Sequence, residues 1–432
     1  MLSLDFIRQN RDAVAKAAAQ KNVAIDLDAL LTLDGEARAA QQELNRLQAE
    51  RNRLSDQIKR SFAAAGRSGG LSDDTKAEVE QLKEQSKLTG PLIKEQEDLF
   101  ADRQAALREL LLRLPNIPWD GAPVGPDESF NTVIRTEGAP RDFGFTPLDH
   151  VELIERNDWA DLTRIVQVAG SRQYCLKGRL ALLEGVLMNW ALQKIAAAGF
   201  TPITVPALTR EDAFVRQGQF PGHREETYQL PNDDLWLAGT AEVALTSLHS
   251  GEILDLSNGP VLYAGTSPCF RREAGSAGRD VRGLLRVHQF LKVEQYVICE
   301  ADEAVSAEWH SRLLSLAEGL LTDLEIPYQV IETSTGDMGL GKYRMNDIES
   351  WVPSLAKYRE THSCSTLHDW QARRANLRYR DADGKVRFAH TLNNTALASP
   401  RILVPLLENH QTEDGRVRLP AALQPLMGGE FL

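Results

Sequence analysis

Cysteine is scarce: Cys175, Cys269, Cys299 and Cys364 are the only four in 432 residues, and no two form a CxxC pair. That excludes a disulfide-stapled scaffold, a thioredoxin-type motif and a zinc ribbon, and it fits a reducing cytoplasm. No run of about 18 uncharged apolar residues occurs, so no membrane span is expected. Residues 1–21 carry Asp5, Arg8, Arg11, Asp12 and Lys16 and lack the apolar stretch of a signal peptide. Neither GxGxxG nor GxxxxGK[ST] is present, which excludes a Rossmann fingerprint and a P-loop. Excess positive charge is missing too: 49 Lys+Arg stand against 61 Asp+Glu, a net charge of -12. A protein that coats nucleic acid by global charge is excluded, whereas a local basic surface is not.

What is present is ordinary for a globular protein: 42% hydrophobic and 25% charged residues, in a chain long enough for two or three domains. A proline-rich seam, Pro115-Asn116-Ile117-Pro118 through Pro123-Val124-Gly125-Pro126, cannot continue a helix and reads as a linker. The expected organisation is residues 1–114, a linker over 115–129, and a second domain over 130–432.

The first part is helical. From about Gly35 to Arg60, Leu44, Leu47, Leu54 and Ile58 share one face, with Arg51 interrupting the stripe. From about Asp73 to Leu114 a seam runs through Val79, Leu82, Ser86, Ile93, Phe100, Leu107, Leu110 and Leu114. One narrow apolar stripe on an otherwise polar helix is the pattern of a two-stranded coiled coil. The short Ser/Ala/Gly patch between them, residues 61–70, makes the two strands antiparallel. Between Arg38 and Arg60, six basic residues (Arg38, Arg46, Arg51, Arg53, Lys59, Arg60) face three acidic ones (Glu43, Glu50, Asp56), a local +3. Rigidly held guanidinium groups such as Arg46, Arg51 and Arg53 can track a phosphate backbone, although mixed charge also suits a merely solvated face or a dimerisation arm.

The second part mixes helices, such as Arg179–Ala198 and Ala304–Leu324, with short β-rich runs. Residues 287–298 alternate: His288, Phe290, Lys292, Glu294 and Tyr296 on one face, Val287, Gln289, Leu291, Val293, Gln295 and Val297 on the other. The first face needs partners or water if covered. Arg271 and Glu273, two apart on an extended chain, share a face and can hold an anion and an amine together. The loop after them, with Arg279 and Arg282 among glycines, suits polyphosphate. The bland reading is a hairpin with surface charges.

The order of these segments carries a resemblance. Gly199–Pro206, Gly239-Thr240-Ala241-Glu242, Phe270–Glu294, Asp347–Trp351 with Glu360–Ser365, and Leu392–Thr395 through Arg401–Asn409 follow the coiled coil and Pro115–Pro118. In this order they resemble the seryl-tRNA synthetases, a family of class II aminoacyl-tRNA synthetases, over essentially the whole chain. The resemblance implies an α+β protein: an N-terminal antiparallel two-helix coiled-coil arm, then a catalytic domain with a mainly antiparallel sheet flanked by helices. It implies a cytoplasmic homodimer that joins L-serine to ATP with Mg²⁺ and passes the seryl group to serine tRNA, selenocysteine tRNA being left open. Gly199–Pro206 would supply dimer contacts.

By the same resemblance, Arg271 grips the α-phosphate beside the serine carboxylate, and Arg401 the γ-phosphate. Glu360 and Ser363 ligate Mg²⁺. Phe290 stacks on adenine, and Arg272, Glu273, Val287, His288, Gln289, Thr361 and His362 complete the nucleotide set. Thr240, Ala241, Glu242, Glu294 and Thr395 join Arg271 around serine, and Arg46, Arg51 and Arg53 meet the tRNA. Catalysis is assigned to Arg271, Glu273 and Arg401; no proton-transfer role falls to His288 or His362. Three places depart from the common bacterial pattern: Arg272, Asn393-Asn394-Thr395-Ala396 and Glu360-Thr361-His362-Ser363. Asn394, standing where a glycine is common, bears on how closely the backbone approaches a ligand. The competing readings are a paralogue that loads a carrier protein or biosynthetic intermediate, and a non-catalytic tRNA-binding protein.

Overall fold

The computed structural model describes residues 1–67, 72–274 and 282–432, and the chain divides into two units. The smaller unit comprises residues 4–11 and 24–113; the larger takes residues 1–3, 12–23 and 114–432.

In the smaller unit, helix α1 spans Leu27–Arg67 and helix α2 spans Asp73–Arg113, 41 residues each. At 1.5 Å per residue each is about 62 Å long. α1 starts earlier and ends later than the apolar stripe suggests. Asp26 supplies the start, its Oδ1 accepting from the Ala29 amide at 2.9 Å, and Ser72 plays the same part for Thr75. The expected loop at 61–70 is therefore helical through Arg67, and residues 68–71 lie outside the described residues. The helices run antiparallel. Glu36 pairs with Arg103 at 2.8 Å, Leu44 and Leu47 pack on Ile93 and Phe100, and Lys83 lies over the Phe62 ring. The α2 seam also holds Thr89, which is buried and donates to the Ser86 carbonyl at 2.8 Å. Two residues on, Pro91 sits inside the helix, where it cannot donate to the preceding turn.

The larger unit is built on an eight-stranded sheet. Its strands are β1 Thr132–Glu137, β2 Thr201–Thr204, β3 Val261–Phe270, β4 Gln289–Cys299, β5 Tyr328–Glu332, β6 Arg344–Val352, β7 Lys357–His368 and β8 His390–Ser399. Their order is β1-β5-β6-β7-β8-β4-β3-β2, and only the β2–β3 pair is parallel. Helices α3 Gly178–Ala197 and α5 Glu303–Asp323 cover one face. Leu183, Leu187, Leu313, Ala317 and Leu321 pack there on Val293, Val297, Leu392 and Cys364. Each of the buried leucines and valines contributes roughly 1.5–3 kcal/mol. The odd positions of β4 point into this layer. The even ones point away, and Tyr296 and Ile298 join a second cluster with Ala241, Leu245 and Ala372. Helices α4 Glu242–Leu248 and α6 Trp370–Ala375 carry part of that cluster.

The proline-rich seam is bonded along the sheet unit rather than free of it. The amides of Asn116 and Trp119 donate to Leu340 and Tyr343, and the carbonyls of Pro123 and Gly125 accept from Thr335 and Gly336. Of the four cysteines, small apolar-like side chains that sequence alone would place in the interior, Cys269, Cys299 and Cys364 are buried, whereas Cys175 is exposed.

Candidate active site

Two strand irregularities build the site. β6 pairs with β7 so that Asp347 opposes Ser363 and Ile348 opposes His362, but Glu349 opposes Glu360. Thr361 is the extra residue of a bulge. In a regular strand, residues three apart point to opposite faces. The bulge brings Glu360 and Ser363 to one face, beside Asp347 and Glu349. His362 falls on the other face. There it is buried, with Nδ1 2.8 Å from the Thr361 hydroxyl, and burial pushes its pKa down to about 4. The Thr361 hydroxyl is committed to Ser350 Oγ at 2.8 Å.

A second bulge, at Ala396, leaves Thr395 opposite Glu294 across β8 and β4. Asn393 shares that face and donates to Glu242 Oε1 at 2.8 Å, as does Gln371 at 2.6 Å. Asn394 points the other way, donating to Gln295 Oε1 and the Leu313 carbonyl, each at 2.8 Å. Its side chain therefore does not crowd the site face.

The amino-acid end is buried. Glu294 and Lys292 are 2% and 6% exposed and form a tight ion pair. Lys292 Nζ also donates to Thr240 Oγ1 at 2.8 Å, and Thr240 donates to Glu294 Oε2 at 3.3 Å. Burial raises the Glu294 pKa, with Lys292 opposing the shift. Ala241 is packed in the cluster under α4 and brings no polar side-chain group to the site.

The nucleotide end opens as a cavity lined by Arg271, Glu273, Arg286, Val287, Phe290, Lys292, Glu360, Thr361, Thr395 and Arg401, among others. Arg271 lies over the Phe290 ring, 5.1 Å from its centroid, and among the described residues no carboxylate pairs with it. A Cβ on Gly239 would come 3.3 Å from Arg271 Cγ, so a small residue there leaves the arginine its place. Glu273, in the left-handed region at φ 53°, pairs with Arg286 at 3.2 Å. Arg401 holds the Leu285 carbonyl at 3.2 Å and the Glu360 carbonyl at 3.1 Å. A further cavity of about 660 Å³ adjoins through Leu285, Arg286, Glu360 and Arg401, with Asp347 and Glu349 in its wall. Among the described residues, Asp347 Oδ1 is buried without a hydrogen-bond partner. Burial first, and then the Glu360 carboxylate, raise the Asp347 pKa.

Some expected residues lie apart. Arg272 turns outward to the Glu225 carbonyl at 3.1 Å. His288 is tied to the Arg271 carbonyl through Nδ1 at 2.9 Å and does not line the cavity. Gln289 is exposed at the start of β4. Arg279 lies outside the described residues, and Arg282 pairs with Asp149 at 2.7 Å.

Residues 1–118 match the seryl-tRNA synthetase N-terminal domain, and residues 226–410 match the tRNA synthetase class II core domain (G, H, P, S and T). A serine–tRNA ligase from Deinococcus radiodurans is 54% identical over 429 residues, which cover 99% of this chain and 98% of that one. The chain belongs to the seryl-tRNA synthetase family. Another member, the serine–tRNA ligase of Symbiobacterium thermophilum, is 40% identical over 98% of both chains. The crystal structure of seryl-tRNA synthetase from Pyrococcus horikoshii complexed with ATP superposes with a TM-score of 0.88 at 37% identity, covering 100% of this chain and 99% of that one. The cytoplasmic serine–tRNA ligase of Naegleria fowleri in complex with AMP gives 0.85 at 28% identity, covering 100% and 98%. The α+β architecture expected from the sequence, with its paired-helix arm and antiparallel sheet, is the one found.

Three side chains in the site were not singled out from sequence. Lys292 was read only as one member of an alternating face, and Asp347 only as part of a block. Arg286 follows the loop and pairs with Glu273. Its signal was available, because an arginine just before an alternating strand carrying Lys and Glu is a candidate for the same anion.

Proposed function

We propose that this chain is a serine–tRNA ligase. A serine carboxylate oxygen attacks the α-phosphorus of ATP, the bond to pyrophosphate breaks, and seryl-adenylate forms. The 3′-terminal ribose hydroxyl of serine tRNA then attacks the seryl carbonyl and releases AMP. The observation that carries this reading is a cavity that brings Arg271, Arg286 and Arg401 together with Lys292 and Thr395, beside the buried and hydrogen-bonded Glu294 and Thr240.

Each residue has physical work in that scheme. Arg271, held against Phe290 and free of carboxylates among the described residues, stabilises the charge that builds on the α-phosphate without reorganising. Arg401 and Arg286 hold the departing phosphates, and Phe290 offers a face to the adenine. Glu242, Glu294 and Thr240 receive the ammonium and hydroxyl of serine, with Thr395 beside them. Alanine, lacking the hydroxyl, leaves those buried groups short of a partner.

The residues present fit Mg²⁺. Glu360 and Ser363 share a face and offer hard oxygens, and Asp347 brings an orphaned buried oxygen beside them. Among the described residues no set of three acidic, histidine or cysteine side chains converges on a metal position. When bound, the ion neutralises phosphate charge and orients the triphosphate.

The arm, with Arg51 and Arg53 exposed, is the surface for tRNA. The exposed edge strand β2 and the exposed Leu182 on α3 are a surface for a second copy, so the active species is a homodimer. No helix among the described residues is long and apolar enough to cross a membrane, and a cytoplasmic site fits the sparse cysteines.

The test is ATP–pyrophosphate exchange with each amino acid in turn. Serine alone should support it, and Arg271→Ala should abolish it while the circular dichroism spectrum is unchanged. Exchange driven equally by alanine, or near-normal exchange in the variant, would overturn the reading.

A further inference from the structure

The amino-acid end holds a buried cation that the scheme above leaves without a task. Lys292 Nζ is shared between Glu294 and Thr240, and the residue lines the nucleotide cavity. The Thr240 hydroxyl is fully committed. It accepts from Lys292 at 2.8 Å and from the Glu242 amide at 3.2 Å, so its single proton is left for Glu294 Oε2 at 3.3 Å. A hydroxyl has one proton and two lone pairs, so the three bonds fix its direction.

The charges around Glu294 can be enumerated. On its own strand stand Lys292 and Tyr296; Glu242 faces it from α4, Cys269 from β3, Cys364 from β7 and Lys342 from the segment before β6. Among the described residues, Lys292 is the cation within bonding reach, and it is buried together with its partner. Two carboxylates, Glu242 and Glu294, against one bonded ammonium leave this end one negative charge. A buried carboxylate without a cation takes up a proton instead of staying charged.

We propose that Lys292 is a positioning residue of the amino-acid site: its ammonium keeps Glu294 ionised and fixes the Thr240 proton on Glu294 Oε2, so that the Glu294 carboxylate is held in place to receive the single α-ammonium of the incoming amino acid. The inference rests on the serine-ligase reading and deepens it. Lys292 forms no bond to the reacting atoms in this account. It acts through Glu294 and Thr240, which selects a substrate bearing a free ammonium over a hydroxy acid of the same shape.

The experiment compares the parent chain with Lys292→Met, Lys292→Arg and Lys292→Gln in serine-dependent pyrophosphate exchange from pH 5.5 to 8.5. Serine binding is titrated calorimetrically in two buffers of different ionisation enthalpy. Losing a charge-assisted pair is expected to raise the serine KM of Lys292→Met by roughly tenfold or more at neutral pH. The ATP KM should stay within about twofold. Removing the cation raises the Glu294 pKa, so the acid limb of kcat/KM for serine moves to higher pH, by about one unit. Serine binding to Lys292→Met should then release a proton, seen as a buffer-dependent heat that the parent lacks. Lys292→Arg should recover most of the serine affinity and the parent acid limb.

An unchanged serine KM and acid limb in Lys292→Met would overturn the inference. So would equal rises in both KM values with no shift of the limb, which is the mark of a merely structural lysine. Lys292→Gln carries the same comparison should the methionine variant melt early. A parent chain without any serine-dependent exchange would instead sink the ligase reading, and this inference with it.

Discussion

The arm's charge can be tested quantitatively by replacing Arg51 and Arg53 together with glutamine. Among the three arginines singled out for tRNA, Arg46 is already spent, paired with Glu43 at 2.8 Å and Glu50 at 3.2 Å on its own helix. Its hydrogen bond holds Glu43 below the usual carboxylate range. Arg51 and Arg53 are exposed, and among the described residues neither pairs with a carboxylate. Each phosphate contact contributes roughly 0.7–0.9 to the slope of log affinity against log salt, so two lost contacts lower it by about 1.4–1.8. Over a roughly fourfold rise in salt, the gap between parent and variant should narrow about 7- to 12-fold. The assay is kcat/KM for tRNA serylation at two salt concentrations, with serine-dependent pyrophosphate exchange as the control. Exchange should stay within about twofold, and Arg46→Gln should change the slope by less than half as much. An unaltered slope, or a parallel fall in both activities, refutes the division of labour between arm and cavity.

Ile93→Ala removes a buried side chain from between Leu44, Leu47 and Phe100 and should cost about 2–5 kcal/mol, read as a lowered melting transition by circular dichroism; an unmoved transition would mean the two helices do not depend on this seam. Gly283 sits at φ +77°, and a Cβ there would meet His150 Nε2 at 2.1 Å. That nitrogen accepts the Leu284 amide at 3.2 Å, while Nδ1 faces Glu408 at 3.0 Å. Gly283→Ala should therefore displace Leu285, whose carbonyl holds Arg401, and raise the ATP KM roughly tenfold; a normal KM refutes that linkage. His310 and His362 are pushed down to about 4 by burial. An unfolded histidine titrates near ~6.5, so the unfolded chain binds more protons between those values. Stability should fall as pH drops from about 6.5 to about 4 and level off below, and His310→Gln should flatten the trend in urea midpoints. Equal pH dependence in parent and variant would rule out His310 as a source.

Much of the architecture was legible in the sequence, and the misses have physical causes. Spacings of three and four placed the helical pair, and alternation over 287–298 placed Lys292, Glu294 and Tyr296 on one face of β4, as observed. Helix ends were missed because the apolar stripe fades before the backbone stops being helical; Asp26 and Ser72, as caps, were the available signals. The bulges at Thr361 and Ala396 leave no mark in a single sequence, since an extra residue in a strand looks like any other. Read as regular strand, Glu360 and Ser363 would have pointed apart. Resemblance brought them together, and the register gives the reason. The proline seam read as a linker because its bonds run to residues some 200 positions away. The His150 contact to Leu284 was equally out of reach, 134 residues apart.

The uneven exposure of the four thiols has a practical consequence. Burial pushes Cys299 up to about 12, and Cys269 and Cys364 upward as well. Cys175 faces solvent. A maleimide dye should thus label the native chain at a single defined position and find three more only after denaturation. Without any engineering, the protein carries its own attachment point for a fluorophore and its own chemical counter of how many molecules in a preparation have come undone.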